Sequence, residues 1–121
     1  MGAERRIIIA DGDPIARSAL RLVLTQAYGA HAVSDACDAQ DLLIVVSASA
    51  PDLVLLDWNL PGSAPEVCAA LRAQIPTAAV VVLSTRPEAR ALALAAGADA
   101  FVCKADAPGF LLATLQRLVP G

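Results

Sequence analysis

The stretch that decides the fold is Asp52–Gly62, which reads DLVLLDWNLPG. Its apolar run Leu53–Leu56 is typical of a β-strand that is buried on both faces. The run ends at Asp57, and Pro61 and Gly62 then mark a loop. A carboxylate that directly follows a buried strand is typical of a site at the carboxyl edge of a parallel sheet.

Strand and helix signals alternate on both sides of this stretch. The predicted strands are Arg6–Ala10, Ala30–Ser34, Leu53–Leu56, Ala79–Leu83 and Phe101–Cys103. The predicted helices are Pro14–Ala27, Ala39–Ala48, Pro65–Gln74, Pro87–Ala96 and Pro108–Val119. This βα repeat with short loops predicts a parallel sheet with helices on both faces. We expect residues 1–121 to form one domain, since domains typically contain about 100–150 residues.

Four polar residues lie at the ends of the predicted strands. They are Asp11, Asp57, Ser84 and Lys104. Ligands of doubly wound sheets bind at the carboxyl ends of the strands, so we expect these side chains to converge on one crevice. Two carboxylates, a hydroxyl and an ammonium suit a site for magnesium and a phosphoryl group. Lys104 is also the only lysine in the chain, and its compact charge on a flexible stem suits contact with a carboxylate.

The composition argues against several other classes of protein. The net charge is −3 and no basic run is present, so we expect no nucleic acid contact by this segment. The apolar runs are shorter than the roughly 18–20 residues that span a bilayer, and we expect a cytoplasmic protein without membrane contact. Three scattered cysteines and the single His31 predict reduced thiols rather than a zinc site or disulfides. His31 is expected on an exposed edge strand.

The chain resembles the response-regulator receiver domains of two-component signalling systems over nearly its whole length. The similarity is carried by Ile7–Arg17 (IIIADGDPIAR), Asp52–Gly62, Ser84 after VVVL, and Gly97–Lys104 (GADAFVCK). These segments occur in the order and spacing of the family. The resemblance implies a flavodoxin-like, doubly wound α/β fold, with a five-stranded parallel sheet in the order 2-1-3-4-5 and five helices.

The resemblance also implies a role for several residues. Asp57 would accept a phosphoryl group from a sensor histidine kinase, while Lys104 and Ser84 would contact the phosphoryl oxygens. Ser84 and Phe101 would form the switch, although Ser84 could instead cap the following turn and Phe101 equally suits a core position. Signalling would then pass through the face formed by helix 4, strand 5 and helix 5, which is also a candidate homodimer interface. No enzymatic activity is expected beyond magnesium-dependent self-phosphorylation and self-dephosphorylation.

The output of the domain is suggested by the segment after strand 5. Lys104–Leu112 looks most like receivers that are joined to helix-turn-helix output domains, which implies regulation of transcription. The chain ends at Gly121, near the expected end of the fifth helix. It is therefore either a stand-alone receiver or the receiver part of a longer protein, and the resemblance favours the second.

The acidic loop departs from the pattern of the family. By resemblance, Mg²⁺ would be held by Asp57, by the backbone carbonyl of Asn59 and, through water, by Asp11. The family usually has a second acid directly after the first, and this chain has Gly12 there. That acid is normally a direct metal ligand, so magnesium binding is expected to be weakened. Asp13 is a further candidate ligand because glycine is permissive, although Asp13 also suits an N-cap.

Two alternative functions follow from the same loop. The first is a pseudo-receiver, which keeps the fold but acts as a phosphorylation-independent interaction or dimerisation module. The second is a phosphatase, because Asp11-Gly12-Asp13 also resembles the Asp-x-Asp loop of haloacid-dehalogenase-type enzymes. The chain is too short for that enzyme fold and lacks the Thr or Ser that usually follows. Elsewhere, we expect Arg17, Arg21 and Arg90 to lie on solvated helix faces.

Overall fold

The computed structural model describes residues 5–29, 33–62, 64–106 and 108–120. Its five strands are β1 (Ile7–Ala10), β2 (Val33–Ala36), β3 (Leu53–Asp57), β4 (Ala79–Ser84) and β5 (Ala100–Cys103). Its five α-helices are α1 (Pro14–Tyr28), α2 (Ala39–Ser49), α3 (Ala64–Gln74), α4 (Arg90–Ala95) and α5 (Gly109–Leu118). The strands form one parallel sheet in the order β2-β1-β3-β4-β5, which confirms the expected topology.

The sheet is covered on both faces. One core layer packs β-strand side chains against α2, α3 and α4, and includes Leu42, Val46, Cys68, Leu71 and Ala93 from those helices. The other layer packs against α1 and α5, and includes Leu24, Leu111 and Leu115. Because both faces are buried, the central strands consist almost entirely of apolar residues. No helix among the described residues is long and apolar enough to cross a membrane.

The strand register sets the position of the polar strand ends. β1 pairs with β3 so that Ala10 lies opposite Leu56, and the next residues are Asp11 and Asp57. β4 pairs with β5 so that Ser84 lies opposite Cys103, and Lys104 follows directly. All of these residues therefore lie at the carboxyl edge of the sheet, as the sequence predicts.

The structure corrects some predicted boundaries. Among the described residues β2 is Val33–Ala36, so it continues past the predicted end at Ser34, because its pairing with β1 extends to Ala36 although Ser34 and Asp35 are exposed at the sheet edge. Residues 30–32, and with them the predicted position of His31, lie outside the described residues. The predicted helix Pro87–Ala96 is divided into a 3-10 turn at Pro87–Ala89 and α4.

Arg72 connects the loops at the amino edge of the sheet. Its Nη1 donates to the carbonyl oxygens of Pro76 at 3.1 Å and Ala78 at 2.9 Å. Its Nε donates to the carbonyl oxygen of Gly97 at 3.2 Å, and its Nη2 donates to Asp99 Oδ2 at 2.5 Å. One guanidinium group thus joins the end of α3 to the loops that precede β4 and β5.

We predict that Arg72→Met lowers the free energy of unfolding by about 2–3 kcal/mol, because hydrogen bonds to a charged group are lost and carbonyls lose their donor. Urea unfolding at neutral pH measures the change. Arg90→Met is the matched control, since Arg90 is exposed on α4 and has no hydrogen bond or ion pair within the described ranges. Its effect should stay within about 0.5 kcal/mol. Equal losses in the two variants would contradict the role of Arg72.

Candidate functional site

Two buried carboxylates and one ammonium meet at the carboxyl edge of the sheet. Lys104 Nζ lies 3.1 Å from Asp11 Oδ2 and 3.3 Å from Asp57 Oδ1. Asp11 is 1% exposed and Asp57 is 7% exposed. The structure therefore brings together three of the four residues that the sequence places at strand ends, with one cation bridging both acids.

Asp11 is oriented by its own loop. Its Oδ1 accepts a hydrogen bond from the backbone N–H of Asp13 at 2.9 Å. Its backbone N–H donates to the carbonyl oxygen of Ala36, at the end of β2, at 3.0 Å. These bonds leave Oδ2 directed at Lys104, where it accepts a hydrogen bond from the ammonium.

Asp13 acts as a helix cap. Its Oδ1 accepts a hydrogen bond from the backbone N–H of Ile15 at 3.0 Å, and its side chain is exposed at the start of α1. The N-cap function predicted for Asp13 is confirmed. Asp13 forms no ion pair with Lys104 among the described contacts, so its use as a metal ligand would require the side chain to leave the cap.

The hydroxyl of Ser84 is buried at the end of β4. Ser84 is 0% exposed, and its Oγ accepts a hydrogen bond from the backbone N–H of Arg86 at 3.0 Å. The turn-capping alternative is therefore present in the structure. The hydroxyl proton is not used in this bond, so Ser84 retains a donor for an incoming ligand.

Phe101 is buried in the core layer of α2, α3 and α4. On its other side it borders a cavity of about 230 Å³ between α4, β5 and α5, which Leu94, Phe110 and Arg117 also line. Phe101 is thus a core residue that also borders the α4–β5–α5 face, and its role as a switch stays a prediction.

The environment of Asp57 disfavours its negative charge. Burial raises the pKa of the Asp57 carboxyl, and the neighbouring charge of Asp11 raises it further. The Lys104 ammonium and the backbone N–H of Asn59 lower it, but they do not offset the increase. Asp57 Oδ1 is also buried without a hydrogen-bond partner, so the contact with Lys104 is an ion pair only.

Lys104 remains a cation. Burial alone would lower the pKa of its ammonium, but the hydrogen bond to Asp11 and the charges of Asp57 and Asp11 outweigh that effect and raise it. The Lys104 side chain is 30% exposed, so the residue is held by the two acids without being fully buried. This combination suits a group that binds an incoming anionic oxygen.

The donor set at this edge fits magnesium as a weakly held ion. Within the described ranges, no group of three or more His, Cys, Asp and Glu side chains is arranged to hold a metal. Magnesium, however, is commonly bound by one or two carboxylates together with water and phosphate oxygens. Asp57 Oδ1 is a buried acceptor without a hydrogen bond, and Asp11 lies beside it. Two carboxylates thus fit the ion, while Gly12 supplies no third.

Sequence reasoning was wrong about two of the arginines. Arg17 and Arg21 both form ion pairs with Asp35 on β2, and Arg17 also donates to the backbone of Asp11. The signal available in the sequence was their spacing of four residues, which places them on one face of α1. Arg90 is exposed, as predicted.

We predict that Asp57→Asn raises the free energy of unfolding by roughly 1 kcal/mol at neutral pH, because it removes a buried charge that the fold disfavours. The pKa of Asp57 is raised on folding, so the folded state binds the proton more tightly. The increase in the free energy of unfolding should therefore be absent at pH values below the ordinary pKa of a carboxyl group. It should be complete at pH values above the raised pKa of Asp57. Urea unfolding over this pH range measures it.

Asp106→Asn is the matched control for that measurement. Asp106 is exposed and has no hydrogen bond or ion pair in the part of the chain that the structure describes, so its removal should leave stability unchanged. A stabilisation by Asp106→Asn equal to that of Asp57→Asn would show that only net charge matters.

The fold and the site together define a class of doubly wound α/β protein with two acids and a lysine at the carboxyl edge of the sheet. Residues 7–116 match the family described as the response regulator receiver domain, and the chain belongs to that family.

Its relatives include transcription regulators. The chain is 32% identical to the transcriptional activator protein ExaE of Pseudomonas putida, over 95% of this chain and 55% of that protein. It is 29% identical to the nitrate/nitrite response regulator protein NarL of Escherichia coli, with the same coverage of both chains. The chain thus spans about half the length of these relatives. A protein-glutamate methylesterase of Myxococcus xanthus also matches, but over only 26% of its length.

Solved structures of the same family superpose closely. A LuxR-family response regulator from Aurantimonas has a TM-score of 0.85 and 26% identity, covering 96% of this chain and 85% of that one. The chemotaxis response regulator CheY4 of Vibrio cholerae has a TM-score of 0.85 and 25% identity, covering 97% of this chain and 100% of that one. The flavodoxin-like arrangement expected from the sequence is thereby confirmed.

Proposed function

We propose that this chain is a phosphorylation-controlled switch in which Asp57 accepts a phosphoryl group from a sensor histidine kinase. The observation that carries the proposal is the buried Oδ1 of Asp57, which accepts no hydrogen bond and lies 3.3 Å from the Lys104 ammonium. A buried, unsatisfied carboxylate oxygen is costly to stability, and its presence in a crevice beside a cation favours a functional role.

The proposed reaction is an in-line transfer. A carboxylate oxygen of Asp57 attacks the phosphorus of a phosphohistidine, forming an O–P bond as the P–N bond breaks. The electron pair of the broken bond stays on the imidazole nitrogen, which takes up a proton. Asp57 must be ionised to attack, so the rate should fall as the pH drops through its raised pKa.

The other residues act on the charge of the transferred group. When Asp57 becomes an acyl phosphate it loses its own charge, and Lys104 can then pair with a phosphoryl oxygen while it keeps its bond to Asp11. The Ser84 hydroxyl can donate its proton to another phosphoryl oxygen. Magnesium bound by Asp57, by the Asn59 carbonyl and through water by Asp11 would supply further charge neutralisation on the phosphoryl oxygens.

We assign residues 1–121 to a single cytoplasmic receiver domain. Its proposed output is regulation of transcription, through a domain outside these residues. The receiver itself would contact neither nucleic acid nor membrane, and would act as an enzyme only on its own phosphoryl group. The α4–β5–α5 face is the proposed route to the output and a candidate homodimer interface. It exposes large apolar side chains, namely Leu92, Leu94 and Phe110, next to Phe101.

The pseudo-receiver is the second candidate function. Gly12 leaves the crevice without the acid that usually binds the metal directly, and Asp13 is used as a helix cap. If these losses abolish metal binding, the same fold would act by contact alone.

We predict that a small phosphodonor with Mg²⁺ adds one phosphoryl group to the chain, measured by intact mass. Beryllofluoride with Mg²⁺ should change the fluorescence of Trp58, the residue after the phosphoacceptor and the only tryptophan. Asp57→Asn should abolish both signals, while Asp106→Asn should leave them unchanged. No added phosphoryl group and no response to Mg²⁺ would reject the switch in favour of the pseudo-receiver.

We predict that Gly12→Asp increases the affinity for Mg²⁺ by about tenfold, because a third carboxylate adds both charge and a ligand. A side chain at this position is sterically feasible, since a Cβ would lie 3.1 Å from the Pro61 ring, which has to shift by only a few tenths of an ångström. Titration of Mg²⁺ against Trp58 fluorescence measures the affinity.

Gly109→Asp is the matched control, because it adds the same charge at a position where a Cβ meets no atom within 4 Å. It should leave the affinity for Mg²⁺ unchanged. If the two variants bind Mg²⁺ equally tightly, the weakness of the metal site has another cause than Gly12.

A further inference from the structure

We infer that Arg17 is a positioning residue that holds Asp11 in place beside Lys104. The effect on phosphorylation rests on the proposed function, but the structural part of the inference can be tested without it. Arg17 contacts neither Lys104 nor Asp57 in the described contacts, and it acts through the backbone of the acidic loop.

Arg17 bonds to the loop on both sides of Gly12. Its Nη1 donates to the backbone carbonyl oxygen of Asp11 at 2.7 Å, in a partly buried position. Its backbone N–H donates to the carbonyl oxygen of Asp13 at 3.0 Å. The side-chain bond restrains the peptide unit between Asp11 and Gly12. The backbone bond is the first helical bond of α1 and fixes where the side chain of Arg17 starts relative to Asp13.

This restraint matters because of the glycine itself. Without a Cβ, Gly12 has access to more backbone conformations than any other residue, so the loop loses more entropy when it is ordered. In the loop, Asp11 must keep its Oδ2 3.1 Å from Lys104. A guanidinium bound to the Asp11 carbonyl limits the rotation of the peptide that precedes Gly12, and with it the movement of the carboxylate.

Arg17 is itself oriented by β2. Its Nε lies 3.5 Å from Asp35 Oδ2, and Asp35 is paired with Ile9 of β1 in the sheet. A planar guanidinium directs Nε to a carboxylate and Nη1 to a carbonyl from two fixed positions, whereas an ammonium offers a single nitrogen on a flexible stem. The Arg17 side chain is 19% exposed, compared with 41% for the Arg21 side chain. The lower exposure agrees with the contact of Arg17 with the Asp11 carbonyl.

Arg21 provides a matched control on the same helix. It also forms an ion pair with Asp35, and it donates to the carbonyl oxygen of Val33 at 3.0 Å. Among the hydrogen bonds and ion pairs of the described residues, its side chain does not contact Asp11, Gly12 or Asp13. Loss of Arg21 therefore removes a comparable charge and ion pair but leaves the loop restraint intact.

The experiment compares Arg17→Gln with Arg21→Gln in two measurements. The first is the maximal rate of Asp57 phosphorylation at saturating small phosphodonor and Mg²⁺. The second is hydrogen exchange of the Asp13 amide, which donates to Asp11 Oδ1 and so reports the carboxylate position in the unphosphorylated protein. We expect Arg17→Gln to reduce the rate and to speed the exchange by about tenfold each. Arg21→Gln should change both by less than about twofold.

The outcomes separate this inference from the proposed function. If the wild-type chain is phosphorylated but both variants behave alike, the inference is overturned and the function stands. If the wild-type chain is not phosphorylated, the function fails and Asp13 exchange alone decides the inference, which unchanged exchange in Arg17→Gln would overturn. Should Arg17→Gln fail to fold, Arg17→Lys replaces it, because it keeps the positive charge but lacks the planar pair of donors, Nε and Nη1, that face Asp35 and the Asp11 carbonyl.

Discussion

The contact of the Lys104 ammonium with Asp11 and Asp57 is the interaction on which the rest of the site depends. Two neighbouring carboxylates that are almost completely buried repel each other and lose most of their hydration. A shared cation offsets part of that cost, and the parallel register of β1 with β3 and of β4 with β5 brings the three groups together. Asp57 nevertheless keeps an oxygen without a hydrogen bond and a raised pKa. This unsatisfied oxygen is the observation on which the proposed phosphoryl transfer rests.

Gly12 in place of a second acid changes the net charge of this site but not the arrangement of Asp11, Asp57 and Lys104. With one ammonium against two carboxylates, the cluster attracts a divalent cation less strongly than a cluster with three acids would. The same glycine has more backbone freedom to lose when the loop that carries Asp11 is ordered, and Arg17 bonds to the Asp11 carbonyl in that loop. The proposed effects of Gly12 on metal affinity and on loop order therefore involve different neighbours.

The contacts that join the loops and the candidate site lie at opposite edges of the sheet. Arg72 joins the loops at the amino edge of β4 and β5 through four hydrogen bonds to carbonyl and carboxylate acceptors. The carboxyl edge instead holds a buried oxygen of Asp57 without a hydrogen-bond partner. Doubly wound sheets permit this division because their ligand crevice lies at one end only.

The sequence by itself determined the alternation of strands and helices, the acids at the ends of β1 and β3, and the position of the only lysine, Lys104, after β5. These could be predicted because a strand buried on both faces must be apolar, so a polar residue at its end is conspicuous. The Asp13 cap of α1 was also predicted, because an Asp before a Pro is typical of a helix start. Only the tertiary structure decided that the Ser84 oxygen accepts from Arg86 and that Arg17 reaches the Asp11 carbonyl. Both depend on the direction of a side chain relative to a loop, and residue type and spacing leave that direction open. The end of β2 at Ala36 was likewise set by pairing with β1, because an edge strand with exposed Ser34 and Asp35 has little apolar pattern of its own.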